Sequence, residues 1–301
     1  MNYRNKTIFG WKDFQLNEIS SVISLNVMQI FKSHFDHLDI HNVIIRDVEK
    51  QIGIIFQINK IEFSKVKGIH IYNLVTEIIN SLNYNLKLFG IQYLSNKRFI
   101  KGKNIIYYKK EFIEFNVNYI DSKKICLLPD SFYQANISVL NHFYENFYKW
   151  IIESKCSNII NLGDDGGNVC TILSSLFDKK MSFFHCPSSF ECARKMTELN
   201  EIVNFNISFN LDDVNSFEKE NDNIILFINP GRKGLKKEEI DFIKHSKINY
   251  IIYIACNQKA FIKDLNLIKK YKIKEMTDIL NMPVINKYQY LYFLYSDIDY
   301  N

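Results

Sequence analysis

Cysteine is the side chain best suited to attack an electrophilic carbon, and Cys256 closes a continuous apolar run, Tyr250-Ile-Ile-Tyr-Ile-Ala255. A second run, Ile224-Ile-Leu-Phe-Ile228, leads into the polar, basic loop Asn229-Pro-Gly-Arg-Lys-Gly-Leu235. Runs of this length without polar alternation predict neighbouring strands buried on both faces, and helical periodicity from Lys236 to Lys247 makes the unit strand, loop, helix, strand. Carboxyl ends of adjacent parallel strands line one crevice, so the loop and the thiol are expected side by side. A thiol attacks as the thiolate, the form that a nearby Arg232 or Lys233 favours. Taken alone, a cysteine ending a buried strand is more often a small core residue than a nucleophile.

The turn Asn161-Leu-Gly-Asp-Asp-Gly-Gly-Asn168 holds Gly163, Asp165 and Gly167 between another buried run and a helical pattern. Glycines let a backbone approach a nucleotide-like cofactor and helix-start amides face it, while the same run also suits an ordinary turn. Basic residues gather at Lys97, Arg98, Lys101 and Lys103, then at Lys109 and Lys110, among Phe99, Tyr107 and Tyr108. Such material grips phosphates and stacks bases, though hairpin tips are also basic for solubility. Lys269, Lys270, Lys272 and Lys274 suit an RNA footprint or a solvated helix end.

Two domains are expected to position these groups. Residues 1–120 read as an α+β unit: a strand over 3–14, a helix over 17–37, a hairpin of 43–46 with 53–58, a helix over 75–82, and strands at 86–93, 104–108 and 113–119. From residue 121 the rhythm becomes that of a doubly wound, Rossmann-like α/β sheet. A long helix over 131–154 precedes a strand at 158–162 and a helix beginning at 166–177. Strands follow at 181–185, 207–210, 224–228 and 250–255, with a closing strand at 288–295 after Met282-Pro283.

Composition sets outer bounds. The chain of 301 residues is 47% hydrophobic, enough for real cores, and 38 Lys and Arg against 33 Asp and Glu give a net charge of +5. That excess permits a polyanionic partner without demanding one. No apolar stretch reaches the roughly 18 residues of a membrane span and the N-terminus lacks a secretion signal's apolar core, so a cytoplasmic protein without membrane contact is expected. The six cysteines contain no Cys-x-x-Cys pair, so neither a metal site nor an iron–sulfur cluster is indicated. A monomer is expected.

Four segments in order resemble the RNA (uracil-5-)-methyltransferase family. Tyr3-Arg-Asn-Lys6 is similar to the opening of that family's central domain, and Ser131-Phe-Tyr-Gln-Ala-Asn136 to its Phe-x-Gln-x-Asn segment. Asn229-Pro-Gly-Arg-Lys-Gly-Leu235 resembles Asp-Pro-Pro-Arg-x-Gly-Leu, and Ala255-Cys-Asn-Gln258 resembles Ser-Cys-Asn-Pro, with Lys263-Asp-Leu265 following as in the family. The resemblance covers nearly the whole chain. It implies a Rossmann-like methyltransferase sheet, S-adenosyl-L-methionine as cofactor and RNA as partner, tRNA ahead of rRNA. It also implies absence of the small N-terminal RNA-binding barrel and of the cysteine cluster that some relatives carry.

In that chemistry Cys256 adds to C6 of an extruded uracil and makes C5 enolate-like, ready to take a methyl group. Gln134 and Asn229 are the implied contacts to the uracil edge, with Arg232 beside them. The cofactor would meet Gln134, Gly163, Asp165, Gly167, Asp213 and Asn229. Three departures stand out. Counting from Pro283, the proton-abstracting Glu of His-x-Glu becomes Gln289, with Lys287 in place of His; an amide does not accept that proton at neutral pH. Asp165 replaces the first glycine of the cofactor turn, and Phe184-His185-Cys186 lacks the ribose-binding carboxylate. The resemblance therefore implies either an enzyme with a weakened cofactor site whose release stalls as a covalent adduct, or a non-catalytic descendant that binds or chaperones RNA; another carboxylate, such as Asp278 or Glu275, replacing the missing base is a conceivable rescue that the sequence does not place. An unrelated α/β scaffold with a structural Cys256 is the third reading.

Overall fold

The computed structural model describes residues 6–10, 40–58, 65–93, 104–128, 131, 140–282 and 287–296. By internal contacts the chain divides into two units, residues 1–115 with 126–137, and residues 116–125 with 138–301. A single cut near residue 120 misses that the chain changes unit more than once.

In the first unit β1 (Lys6–Gly10), β2 (Ile40–Val48), β3 (Gln51–Ile58), β4 (Asn85–Tyr93) and β5 (Ile105–Lys110) form one sheet in that order. The β2–β3 hairpin turns on Glu49 and Lys50, both at positive φ (49° and 62°), which matches the twist of the strands it joins. β3 and β4 are parallel, with α1 (Lys65–Ser81) between them in the chain. Its Ile71, Val75 and Ile79 recur every four residues and pack on Ile54, Phe56 and Phe89. Tyr108, expected to stack bases, instead packs near Phe89 and against the backbone of Gly68. Lys109 pairs with Glu111 at 3.4 Å, and Lys110 lies 4.9 Å from the ring centre of Tyr107. Lys97, Arg98, Phe99, Lys101 and Lys103 lie outside the described residues, as do the helix expected over 17–37 and most of the strand expected over 3–14. β6 (Ile113–Asn118) and β7 (Ser122–Leu127) form a separate two-stranded sheet.

The second unit is the doubly wound sheet. Its strands are β8 (Asn158–Leu162), β9 (Lys179–Phe183), β10 (Phe205–Ser208), β11 (Ile224–Ile228), β12 (Tyr250–Ala255), β13 (Tyr271–Met282) and β14 (Lys287–Ser296). They lie in the order β10-β9-β8-β11-β12-β14-β13. All neighbours from β10 to β12 are parallel, and β14 runs antiparallel to both β12 and β13. The helices are α2 (Leu140–Ser154), α3 (Asn168–Ile172), α4 (Pro187–Leu199), α5 (Leu211–Glu220), α6 (Lys237–His245) and α7 (Gln258–Leu267). On one face of the sheet Leu226, Ile228 and Tyr253 pack with Val214 and Phe217 of α5, Ile240 and Ile243 of α6, and Phe261 of α7. α2 covers the other face: Phe147 meets Phe227 edge-on at 5.1 Å, and Trp150 stacks on Phe293 at 5.5 Å.

Three expectations change. The glycines at 166 and 167 take φ of 74° and 80°, so α3 begins only at Asn168 and gives way to a 3-10 turn at Ser174–Leu176. β13 is unexpected, because Lys272, Lys274, Glu275 and Asp278 break its apolar pattern. An edge strand needs little apolar surface and is guarded by such charges. Lys272 and Lys274 are therefore strand residues rather than a helix end, and Lys274 pairs with Glu153 at 2.7 Å. Among the described residues no helix is long and apolar enough to cross a membrane.

Trp150 is fully buried and carries the packing of α2 on β14. Trp150→Ala is expected to destabilise the second unit by about 3–5 kcal/mol. Urea denaturation followed by far-UV circular dichroism measures this as a lowered midpoint.

Candidate active site

β8 continues to β9 and β10 on one side, and β11 to β12 on the other, so the loops after β8 and β11 diverge at the carboxyl edge. A crevice opens where strand order reverses in this way. Its floor is a close backbone contact: a Cβ on Gly163 would stand 2.6 Å from the carbonyl oxygen of Asn229, and Gly163 sits at φ 135°. Asn229 donates its backbone N–H to Leu162 O at 3.1 Å, and Gly163 donates to Phe183 O at 3.3 Å. Three loops are thus stitched together at one point, and only glycine satisfies both demands at residue 163.

Cys256 is the first residue beyond β12 and is exposed. Ala255 pairs with Tyr290, so the next rung brings Cys256 to Gln289, whose Nε2–H donates to Sγ at 3.3 Å. Atoms packed around the sulfur raise the thiol pKa, while the Gln289 hydrogen bond and the Arg232 charge lower it. Arg232 is held through its backbone, since Asn257 Nδ2 donates to Arg232 O at 3.2 Å while Asn257 Oδ1 accepts from Lys259 N at the start of α7. The loop and the thiol therefore do lie side by side.

Neither carboxylate named as a substitute base is beside Gln289. Glu275 binds Lys149 at 2.7 Å and is level with Phe293, four rungs away, roughly 13 Å along a strand. Asp278 is level with Tyr290, and Gln289 with Ile279. Alternation along the strand puts Asp278 on the sheet face of Tyr290, which packs toward the α6 and α7 core, and Gln289 on the opposite face.

The glycine turn holds itself. The buried carboxylate of Asp165 accepts from the N–H groups of Gly167 (3.0 Å) and Val169 (3.1 Å) and from Asn161 Nδ2 (2.6 Å). Asp164 Oδ1 accepts from the N–H groups of His185 and Cys186, each at 2.8 Å, tying this turn to the end of β9. His185 sits where the ribose-binding carboxylate is missing. Its Nδ1 accepts from Lys236 Nζ at 2.7 Å and its Nε2–H donates to Glu239 at 3.0 Å. Asp213 accepts from the Ser208 hydroxyl, and the exposed Phe209, one residue past β10, stacks on Phe190 at 4.4 Å.

A nucleoside-bearing cofactor fits this edge in kind. The buried Oδ1 of Asn168 has no hydrogen-bond partner, while Gly163 and Gly167 are kept as glycine by the protein itself, where a Cβ would meet Asn229 and Ala193. Asp213 and an aromatic face flank the next turn. The departure is that Asp165 already engages two of the turn's amides. Gln134 lies outside the described residues, and of its segment only Ser131 is described, its carbonyl accepting from the buried Arg46 at 2.8 Å. Sequence reasoning gave no role to Asp164 or Asp264; the Lys263-Asp-Leu265 match pointed at the latter. Among the described residues no group of three or more His, Cys, Asp or Glu is arranged to hold a metal.

No protein-family model matches the chain. It is 22% identical over 235 residues to an uncharacterized RNA methyltransferase of Leptospira interrogans, covering 76% of this chain and 58% of that protein. It is 22% identical over 171 residues to the 23S rRNA (uracil(747)-C(5))-methyltransferase RlmC of Xenorhabdus nematophila, covering 56% of this chain and 45% of that protein. The chain thus spans about half of the length of these curated relatives. Among solved structures, the Pyrococcus abyssi tRNA (uracil-54, C5)-methyltransferase in complex with S-adenosyl-L-homocysteine superposes with a TM-score of 0.71 at 15% identity, covering 97% of this chain and 75% of that one. That likeness shows a shared fold.

Burial, against the pull of its three donors, raises Asp165 from 3.8 to about 6. The folded state then holds this proton more tightly than the unfolded one, so Asp165's contribution to stability is present at low pH and is lost as pH rises from about 4 through about 6. The stability difference between the protein and Asp165→Asn should shift by on the order of 3 kcal/mol between pH 4 and 7. Denaturant titrations at several pH values measure it.

Proposed function

We propose that the chain, which is similar over part of its length to RNA methyltransferases, belongs to the RNA (uracil-5-)-methyltransferase family and methylates C5 of a uridine in RNA, tRNA ahead of rRNA. The single observation that carries this reading is the 3.3 Å contact between Cys256 Sγ and Gln289. Residues 33 positions apart meet at the rim of the crevice, and they are the two to which the family resemblance gives the roles of nucleophile and of the position for proton removal.

Uracil C5 is a poor nucleophile. The target base leaves its stack, the Cys256 thiolate adds to C6, and the electron pair moves toward O4, leaving C5 enolate-like. Asn229 donates to the uracil edge as that charge grows, a role that the resemblance also gives to Gln134, and Arg232 favours the thiolate. Gly163, Asp165, Gly167, Asp213 and Asn229, with Gln134, would hold S-adenosyl-L-methionine, which supplies an electrophilic methyl group on sulfonium. Once C5 carries both its proton and the methyl group, the proton must leave before the C6–S bond can break. Gln289 cannot take it, so release is slow and the protein–RNA adduct persists. The same amide favours a second reading, a descendant that captures a uridine in RNA without turnover.

Incubation with S-adenosyl-L-methionine and either tRNA or rRNA transcripts separates the two. We expect 5-methyluridine by nucleoside mass analysis, at no more than about one per protein molecule, with an adduct on denaturing gels that disappears in Cys256→Ala. Gln289→Glu should raise turnover by about 10²–10⁴-fold, the range of a restored general base. Absence of 5-methyluridine with both RNAs and in the Gln289→Glu variant would leave the capture reading.

A further inference from the structure

Asp264 is eight residues past Cys256, on the buried side of α7, and is 1% exposed. Its Oδ2 accepts from the Tyr253 hydroxyl at 2.6 Å and from the Leu235 N–H at 2.8 Å. The carboxylate lies directly on the backbone of Gly234, where a Cβ would stand 2.5 Å from Oδ2 and φ is +79°. Tyr253 belongs to the strand that ends at Cys256, and Leu235 ends the loop that carries Arg232. Tyr253 meets Phe261 of α7 edge-on at 5.0 Å, and Phe261 stacks at 3.6 Å on Tyr292, three residues past Gln289 on β14. One buried carboxylate therefore joins the segments that bear the thiol and the guanidinium, and its helix is packed on the strand that bears the amide.

We propose that Asp264 is a positioning residue: by clamping Leu235 to Tyr253 it holds the Arg232 loop beside Cys256 and so sets how readily the thiol ionises, without itself touching substrate. The proposal rests on the assignment of Cys256 as the attacking group. An anchor of the fold alone would need no specific geometry toward Arg232, yet the loop is pinned at two places, Arg232 O by Asn257 and Leu235 N by Asp264. The charged and titratable groups around this corner are Arg232, Tyr253, Lys263 and Asp264 and, on α6, Glu239, with Gln289 neutral.

The test is the rate at which iodoacetamide alkylates Cys256, followed by peptide mass analysis from about pH 6 to 10, a range that brackets a thiol's ionisation and a readout that needs neither RNA nor cofactor. Asp264→Ala should raise the apparent pKa of Cys256 and slow alkylation at about pH 7.5 by about three- to tenfold, as a rise of about half to one unit requires. Tyr253→Phe should give a smaller change, because the Leu235 bond remains. Arg232→Ala should match Asp264→Ala, and the double variant should be no slower than either single one, since the aspartate acts through the arginine. An unchanged pH profile in folded Asp264→Ala, or effects that multiply in the double variant, overturns the proposal. If Asp264→Ala does not fold, Tyr253→Phe, which removes one of the two bonds, takes its place: an unchanged pH profile of Cys256 alkylation there overturns the proposal. Failure here leaves the methyltransferase reading standing; loss of RNA methylation with this profile intact would remove that reading and leave the clamp.

Discussion

At the reversal of strand order the backbones of Gly163 and Asn229 approach too closely for any side chain at residue 163, and the carboxyl edge of the sheet is organised around that contact. It sets the glycine turn and the arginine loop against each other, one on each side of the crevice. Parallel pairing of β8 with β11 and of β11 with β12 then carries the position of Asn229 across to Cys256. The antiparallel return of β14 brings Gln289 to the same rung. A shift of one residue in the β12–β14 register would put Gln289 on the sheet face opposite to Cys256.

Loops at such an edge expose amides that water or ligand must satisfy. Here carboxylates satisfy several of them, with the buried Asp165 bonded inside its own turn, the half-buried Asp164 reaching across to the end of β9, and the buried Asp264 bridging α7 and the arginine loop. The two halves of the crevice differ in what this does. On the Cys256 side the clamped loop presents Arg232 and leaves the thiol exposed. On the glycine-turn side the amides of Gly167 and Val169 already have an internal partner, so a bound anion would compete with Asp165. The side of the crevice proposed for uracil addition is thus more complete than the parts proposed for cofactor binding and for proton removal. The uracil contacts expected of Gln134 lie outside the described residues, so the completeness is that of the thiol, loop and amide alone.

Much of the second unit was legible because its signals are local. Uninterrupted apolar runs at 224–228 and 250–255 have one stable place, the middle of a sheet covered on both faces, and each became a strand there, beside the largely apolar 158–162. The adjacency of Arg232 and Cys256 followed from strand ends alone. β13 was illegible because an edge strand carries charges that look like a loop or a solvated helix. The rescue by Glu275 failed because its partner, Lys149, is 126 residues away.

The sequence by itself determined the doubly wound sheet, the crevice at the ends of β8 and β11, and the chemical types available there, since these depend on periodicity, glycine positions and residue identity. Only the tertiary structure decided which groups meet. Gln289 reaches Cys256 through the pairing of β12 with β14, His185 is bound between Lys236 and Glu239, and Asp165 turns inward. The first two depend on contacts between residues distant in the chain, of which composition and spacing carry no record; the third is local, to Asn161, Gly167 and Val169, and is decided by how the turn folds.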